Sequence, residues 1–293
     1  MEKHTISLVL GSGGARGYAH IGVISWLKDH GFDIRSIAGS SMGALIGGIY
    51  ATGKLDAYTE WVRALNRSDV LQLLDLSFGR SGLFKGERIM RALRDLIGEH
   101  DIEDLPVSFT AVATDLDTEK EVWLSKGPLF DALRATIAIP TLFTPFQYMG
   151  RRLVDGGLVN PLPIAPTLRD MTDLTIAVNL SGREEPDLER PTVHDTRVGE
   201  PRYKRMIREF IEDLVGKRPT EKEVEELGLF DVITQAVDTM QNTISRLKLA
   251  TYSPDILIDI PKNACYFYEF YRADEMIGLG RLRAEKALAD RKL

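Results

Sequence analysis

One serine of the chain lies in a pattern that favours nucleophilic chemistry. Gly39-Ser40-Ser41-Met42-Gly43 fits Gly-x-Ser-x-Gly, between a short apolar strand predicted to end at Gly39 and a helix predicted over residues 42–52. In this pattern a sharp strand-to-helix turn lifts the hydroxyl clear of the sheet, and the glycines let neighbouring backbones come close. The positive end of the helix dipole then favours an oxyanion. Ser41 is therefore a candidate nucleophile, although glycine-rich turns with serine are common.

A nucleophilic serine needs a base. In the familiar hydrolase order of Ser, Asp or Glu, then His, only His194 follows a suitable acid, and it lies in a polar, proline-flanked segment. His20, in the first predicted helix, is better explained by packing or hydrogen bonding. A carboxylate base is the alternative, and Asp155, followed by Gly156-Gly157, ends a strand predicted from Tyr148 to Val154. A triad through His194 stays open, as does the interpretation of Asp-Gly-Gly as a plain turn.

A glycine-rich loop from Gly11 to Gly17 follows the first predicted strand, Ile6–Leu10. Such loops bind phosphate through their amides and the start of a helix. However, a nucleotide triphosphate loop would end in Gly-Lys-Ser/Thr, whereas this one ends in Ala-Arg-Gly. A dinucleotide fold would place an acidic residue at the end of the next strand, which here ends in Gly39-Ser40. The remaining use for converging amides is an oxyanion hole, the largest single contribution to many acyl transfers.

Cys265 and the pair Asp115 and Asp117 have reactive side chains, but a structural role explains them better than catalysis or metal binding. Cys265 is the single cysteine, which excludes an intrachain disulfide and favours a packing role. Asp115 and Asp117 in Thr-Asp-Leu-Asp-Thr suggest a cation, but a turn after a strand explains them better. The sequence therefore predicts no metal site and no cofactor.

The predicted elements that position these residues alternate between strand and helix. This order favours an α/β fold of three layers, α/β/α, with a mostly parallel central sheet and a helical insertion. Further strands are predicted over residues 107–114, 121–124, 174–180 and 256–260, and further helices over 55–101 (broken by a loop at 79–86), 128–139 and 274–289.

Composition changes at Gly182, after which the chain is rich in Arg, Glu, Asp and Pro. We expect a catalytic core over residues 5–181, a charged helical insertion over 182–250, and a strand and helix over 251–293 that complete the core. Two amphipathic stretches are predicted within the insertion, Tyr203–Val215 and Val224–Leu247. The first is a candidate lid or bilayer-surface helix, although such an apolar stripe more often packs on the protein's own core.

The bulk composition is that of an ordinary globular protein, with 44% hydrophobic and 27% charged residues. A net charge of −6 argues against nucleic-acid binding, which needs a surplus of Lys and Arg. No apolar run approaches the ~20 residues of a membrane span, and the apolar stretch at the amino terminus is too short for a signal peptide. We expect a cytoplasmic protein whose membrane contact, if any, is peripheral; its oligomeric state is left open.

Taken together, three segments resemble the patatin-like phospholipase family, particularly its bacterial members. They are the glycine loop Gly11–Gly17, the Gly39–Gly43 nucleophile motif and Asp155-Gly156-Gly157, in the order that the family has. Ala138-Ile-Pro140 and Asn160-Pro-Leu-Pro163 are similar as well. The resemblance covers roughly residues 5–181 and, more loosely, 255–289. The chain departs from the family at Ser12, where many members have glycine.

The resemblance implies an acyl-ester hydrolase that acts on lipids, with phospholipid or lysophospholipid favoured. In the implied Ser–Asp dyad, Asp155 takes the proton of Ser41, and the amides of Gly13, Gly14 and Met42 hold the oxyanion. Arg16 is expected to stiffen the loop, to form a structural ion pair or to contact a lipid phosphate. Two alternatives stay open: an acyltransferase on the same dyad, and a non-catalytic regulatory protein that keeps the fold.

Overall fold

The fold is described from a computed structural model, which covers residues 4–65, 69–70, 84–140, 142–188 and 229–289. Its strands form one eight-stranded mixed sheet. The strands are β1 Thr5–Leu10, β2 Asp33–Ser40, β3 Ser108–Asp115, β4 Lys120–Leu124, β5 Phe146–Tyr148, β6 Arg151–Asp155, β7 Leu174–Gly182 and β8 Ile256–Pro261. The helices are α1 Ala19–Asp29, α2 Met42–Ala51, α3 Leu55–Ala64, α4 Glu87–Ile97, α5 Leu129–Thr136, α6 Leu229–Thr251 and α7 Ala273–Leu288.

The centre of the sheet is parallel and its β5 end is antiparallel. The strand order is β5-β6-β3-β2-β1-β7-β8, and β4 pairs with β3 outside this path. Strands β3, β2, β1, β7 and β8 run parallel to their neighbours in that order, whereas β4, β5 and β6 pair antiparallel. The predicted α/β fold with a mostly parallel sheet is confirmed.

The side chains of β1 alternate between the two faces of the sheet, and this alternation explains the three layers. Ile6, Leu8 and Leu10 belong to the main core with α1, α2 and α7, whereas Val9 belongs to a second cluster on the opposite face. Leu249 at the carboxyl-terminal end of α6 packs on that second cluster. Because successive side chains of a strand point to opposite faces, one apolar strand thus binds a helical layer on each side.

The register of β3 brings the two proposed catalytic segments together. Ser40, the last residue of β2, pairs with Val112, and Asp155, the last residue of β6, pairs with Ala113. Strand β4 occupies the other edge of β3 along this stretch. Strand β6 therefore pairs with the same side of β3 as β2, and its pairing begins where β2 ends and the chain turns into α2. The ends of these two strands, 115 residues apart in sequence, must meet at that point.

One predicted element was wrong. The sequence predicted a single strand over Tyr148–Val154, but the structure has a β5–β6 hairpin that turns at Met149-Gly150. Both turn residues have positive φ, 48° for Met149 and 76° for Gly150, which is the backbone of a two-residue hairpin loop. The tight turn reverses the chain within the segment that was predicted to be one continuous strand.

The carboxyl-terminal part of the predicted insertion is the helix α6, which packs on the second face of the sheet through Leu249. The other predicted amphipathic stretch, Tyr203–Val215, lies outside the described residues, and so does His194. The extent of the insertion and its role as a lid stay predictions. Within the described ranges, every helix is too short or too polar to cross a bilayer.

Candidate active site

Ser41 lies in a strained turn between β2 and α2. Its φ is 54° and its ψ is −125°, a conformation that side-chain-bearing residues rarely adopt and that is typical of functional sites. The flanking glycines make the turn possible, because a Cβ on Gly43 would lie 2.1 Å from the carbonyl oxygen of Leu10, and one on Gly39 would lie 2.5 Å from the Cα of Ala44. The strain and the glycines fit a nucleophile elbow.

The elbow is held by a residue that the sequence did not single out, Thr136 at the end of α5. The backbone N–H of Ser41 donates to its Oγ1 at 2.9 Å, and the same hydroxyl donates to the carbonyl oxygen of Val112 in β3. Thr136 is completely buried, so both bonds form away from water. No motif marks such a residue, because its role depends on which strand packs beneath the helix.

Asp155 reaches the serine from the end of β6. The Oγ of Ser41 donates to Oδ2 of Asp155 at 2.5 Å, and the backbone N–H of Gly157 donates to Oδ1 at 2.7 Å. Both side chains are buried, with 3% of Ser41 and 4% of Asp155 exposed. The structure thus brings the predicted nucleophile and the predicted base into direct contact.

The backbone of Asp155 is fixed on both sides. Its N–H donates to the carbonyl oxygen of Ala138 at 3.0 Å, and its own carbonyl oxygen accepts from the hydroxyl of Thr114 at 2.9 Å. A Cβ on Gly156 would lie 2.0 Å from the carbonyl oxygen of Val112. The Asp-Gly-Gly sequence is therefore required by close packing against β3 as well as by the turn.

Burial gives the Asp155 carboxyl group an unusual proton affinity. Loss of solvent raises its pKa to about 7, although the hydrogen bonds from Ser41 and Gly157 favour the ionised form. The loss of solvent therefore has a larger effect on this pKa than the two hydrogen bonds have. A carboxyl group with this pKa gains and loses a proton readily near neutral pH.

The glycine loop lies against the start of α2. A Cβ on Gly17 would lie 2.4 Å from the Cβ of Met42, one on Gly13 2.6 Å from the Cβ of Leu180, and one on Gly14, whose φ is +55°, 2.5 Å from the carbonyl oxygen of Phe267. Within the described residues, the amides of Gly13 and Gly14 have no hydrogen-bond acceptor, and Met42 opens its helix. The amides of Gly13 and Gly14 are therefore free to donate, and so is that of Met42, since a helix leaves its first N–H groups unpaired.

Other contacts fix the loop at its beginning and its end. The N–H of Ser12 donates to the carbonyl oxygen of Pro161, just beyond the Asp155 turn, and Ala15 donates to Phe267, both at 2.8 Å. The fully buried His20 binds the carbonyl oxygen of Gly11 through Nε2 at 2.9 Å. Burial lowers the pKa of His20 to about 4, against the effect of this bond, so the ring is neutral and donates.

Arg16 is largely buried, and its guanidinium donates to the carbonyl oxygen of Lys262 at 2.7 Å. This contact ties the loop to the segment after β8, in line with the stiffening role expected for Arg16. Contact with a lipid phosphate stays a prediction.

The other reactive residues that the sequence singled out lie in a turn and in the core. The N–H of Asp117 donates to Oδ1 of Asp115 at 3.0 Å, which closes the turn after β3. Cys265 is buried, and burial raises the pKa of its thiol to about 12. Among the described residues, no group of three or more His, Cys, Asp or Glu side chains is placed to hold a metal ion.

Comparison with known proteins identifies the family. The model of the patatin-like phospholipase family matches residues 8–168, which contain the glycine loop, Ser41 and Asp155. An uncharacterized NTE family protein of Mycobacterium tuberculosis is 40% identical, over 97% of this chain and 91% of that protein. Patatin-like phospholipase domain-containing protein 6 of Homo sapiens is 34% identical and neuropathy target esterase sws of Drosophila melanogaster is 30% identical. Each of these two matches 64% of this chain and 14% of its own length. The chain belongs to the patatin-like phospholipase family.

Proposed function

We propose that this protein hydrolyses acyl esters of lipids with Ser41 as nucleophile and Asp155 as its base. The observation that carries the proposal is the 2.5 Å hydrogen bond from the Ser41 hydroxyl to the Asp155 carboxylate. It lies beside a glycine loop and a helix start with unpaired amides. A nucleophile in contact with its base, next to preorganised donors, is the arrangement that acyl transfer needs.

In the acylation step, the ionised Asp155 takes the proton of Ser41 as the serine oxygen attacks the ester carbonyl carbon. Negative charge develops on the carbonyl oxygen, and the amides of Gly13, Gly14 and Met42 are the proposed donors to it. Asp155 then gives its proton to the departing alcohol as the carbon–oxygen bond breaks. A pKa of about 7 suits both transfers, since a carboxyl group at its ordinary pKa would be a weaker base and a harder group to protonate.

The deacylation step repeats this chemistry with water. Asp155, ionised once more, takes a proton from a water molecule that attacks the acyl-enzyme. The fatty acid leaves, and Ser41 recovers its proton from Asp155. No histidine among the described residues takes part in this proposal. His20 binds the glycine loop, and the other histidines in the described part of the chain hydrogen-bond backbone carbonyls (His30, His100) or pack at a tilt against Phe32 (His4).

The lipid substrate class rests on family membership. The family is that of patatin-like phospholipases, and a relative in Drosophila melanogaster is called neuropathy target esterase. We therefore propose phospholipids or lysophospholipids as substrates, with the fatty acid as product.

A panel of phospholipids and lysophospholipids incubated with the purified protein tests this proposal, with released fatty acid measured by mass spectrometry. We expect release by the wild type and none by Ser41→Ala. Glycerol added as an acyl acceptor separates hydrolysis from acyl transfer, because a transferase would form glyceride in place of free acid. Equal release by the wild type and Ser41→Ala would refute the proposal.

A further inference from the structure

Two apolar protrusions stand on either side of the proposed active site, and the first is the tip of the β5–β6 hairpin. Met149 at this tip is 81% exposed, and its φ is 48°. A left-handed turn position of this kind favours Asn, Asp or Gly, so a methionine there costs conformational energy and exposes a large apolar side chain. The hairpin requires the positive φ at this position but does not require a methionine there.

The second protrusion follows β8. Tyr266 and Tyr268 are 69% and 57% exposed, and their rings stack with centroids 5.7 Å apart. Phe267 between them is the residue whose carbonyl oxygen accepts from Ala15 and which leaves no room for a Cβ on Gly14. The exposed tyrosine pair is therefore attached directly to the glycine loop of the active site.

Strand direction places both protrusions at one edge of the sheet. Tyr266 and Tyr268 come after the carboxyl end of β8, and the glycine loop comes after that of the parallel strand β1. The β5–β6 hairpin pairs with the carboxyl end of β3, so its tip projects beyond the same edge. In the strand order, β6 and β8 lie on opposite sides of β1 and β2, whose ends carry the glycine loop and Ser41.

Two other strongly exposed apolar residues lack this relation to the site. Leu168 and Met171 are exposed too, but they precede the amino end of β7 and thus lie at the opposite edge of the sheet. Scattered exposed apolar side chains are ordinary. The distinguishing feature of Met149 and the tyrosine pair is that they flank the nucleophile at its own edge.

We propose that this edge of the sheet docks on a lipid surface, with the Met149 tip and the Tyr266–Tyr268 pair inserted on either side of Ser41. The inference rests on the proposed function, since an extended lipid surface both contacts two separated protrusions and presents an ester between them. Tyrosine is enriched where a membrane meets water, because its ring is apolar and its hydroxyl polar.

The charges around the tip indicate the kind of surface. Arg151 and Arg152 follow the tip and are half-exposed, but each is paired with a carboxylate, Asp115 and Asp117 respectively. Paired charges give no net attraction to anionic headgroups, so the surface fits zwitterionic lipids. Phosphatidylcholine vesicles are therefore the probe.

The test compares two double variants for sedimentation with phosphatidylcholine vesicles. Met149→Asn/Tyr266→Ser removes one side chain from each protrusion, and asparagine suits the left-handed turn. Leu168→Ser/Met171→Ser makes a matched change at the opposite edge. Both are measured in the Ser41→Ala background, so that hydrolysis cannot alter the vesicles. We expect the first to lower the partition coefficient by about tenfold or more and the second to leave it unchanged.

Turnover of a short, water-soluble p-nitrophenyl ester, measured with Ser41 present, separates this inference from the proposed function. Wild type that turns over neither this ester nor any lipid refutes the proposed function, whatever the vesicles show. Equal vesicle binding by all variants, or none by the wild type, refutes the docking surface. Loss of soluble-ester turnover in Met149→Asn/Tyr266→Ser with vesicle binding intact would assign these residues to the substrate pocket instead. A dimer of the wild type that this variant converts to monomer would assign the surface to a second copy of the chain.

Discussion

At the scale of single residues, the proton affinity of Asp155 decides whether the site can work. Full burial raises its pKa, and the hydrogen bonds from Ser41 and Gly157 limit the rise to about 7. A base with a lower pKa would take the serine proton less readily, and one with a higher pKa would be protonated at neutral pH. The two donors and the absence of solvent thus act in opposite directions on one carboxyl group.

The pH dependence of the reaction follows from this pKa. In the proposed mechanism the ionised form of Asp155 is the active one, so kcat/KM should fall tenfold per pH unit below about pH 7 and level off above it. Initial rates with a soluble ester across the pH range where the fold is stable measure this limb. If kcat/KM instead fell only near pH 4, the ordinary pKa of an aspartate, Asp155 would not be the base or would not be desolvated.

Ser41 and Asp155 could be predicted from sequence because short motifs mark them. Gly-x-Ser-x-Gly and Asp-Gly-Gly encode the backbone turns that each residue needs, and close approaches at Gly43 and Gly156 account for those glycines. Thr136 and Thr114 support the same turns through side-chain hydrogen bonds. They could not be predicted, because a threonine within an apolar segment carries no sign of the distant backbone that it meets.

At the scale of elements, the elbow depends on a hydrogen bond between a strand, a helix and the nucleophile turn. Replacing Thr136 by valine keeps its shape but leaves the N–H of Ser41 and the carbonyl of Val112 without their buried partner. We expect Thr136→Val to lose about 1–3 kcal/mol of unfolding free energy, measured by denaturant titration, together with a lower kcat. Thr136→Ser keeps the hydroxyl and should restore most of both. Equal behaviour of the two variants would show that the hydroxyl is unimportant.

Replacing a glycine that packs closely against another backbone segment should cost far more stability than replacing a glycine in an open turn. Gly43→Ala would place a Cβ 2.1 Å from the Leu10 carbonyl oxygen, and we expect a loss of about 3 kcal/mol or more with loss of activity. Gly53 has a φ of +76° but nothing within 4 Å of a Cβ. Gly53→Ala should cost about 1 kcal/mol and leave activity intact. Thermal unfolding of both variants measures the difference, and equal losses would contradict the packing described here.

Element types were easier to predict than their pairing. The strands and helices that carry the motifs lie where apolar patterning and glycines placed them, with boundaries shifted by one to three residues. Strand β2 ends at Ser40 in place of Gly39, and α5 spans Leu129–Thr136 within the predicted 128–139. The β5–β6 hairpin was missed because Met-Gly is a weak turn signal compared with Asn-Gly. The sequence did not predict that β2 and β6 pair one after the other with the same side of β3, because register depends on contacts between distant segments.

At the scale of the whole molecule, the site lowers the stability of the fold. The pKa of Asp155 is about 7 when folded and near 3.9 when unfolded, so unfolding releases its proton between these values. The unfolded state therefore binds fewer protons in this window, and stability falls as pH rises from about 4 to 7. The cost is fully present above pH 7, where the buried carboxyl group is ionised.

Asp155→Asn should therefore stabilise the protein while it abolishes activity. The amide matches the neutral carboxyl group in shape, so the two proteins should have similar stability at about pH 4 to 5, with the variant gaining on the order of a few kcal/mol at about pH 8. Denaturant titrations at the two pH values measure this. A variant less stable than the wild type at the higher pH would contradict the assigned burial of charge.

The most direct test of the central claim, that Asp155 activates Ser41, is the rate at which a fluorophosphonate labels the protein, followed by intact mass. We predict one adduct, on Ser41, in the wild type and in His194→Ala at equal rates, with labelling of Asp155→Asn slower by about 10²–10⁴-fold and none in Ser41→Ala. Full-rate labelling of Asp155→Asn, with His194→Ala inert, would contradict the dyad and replace it with a histidine triad.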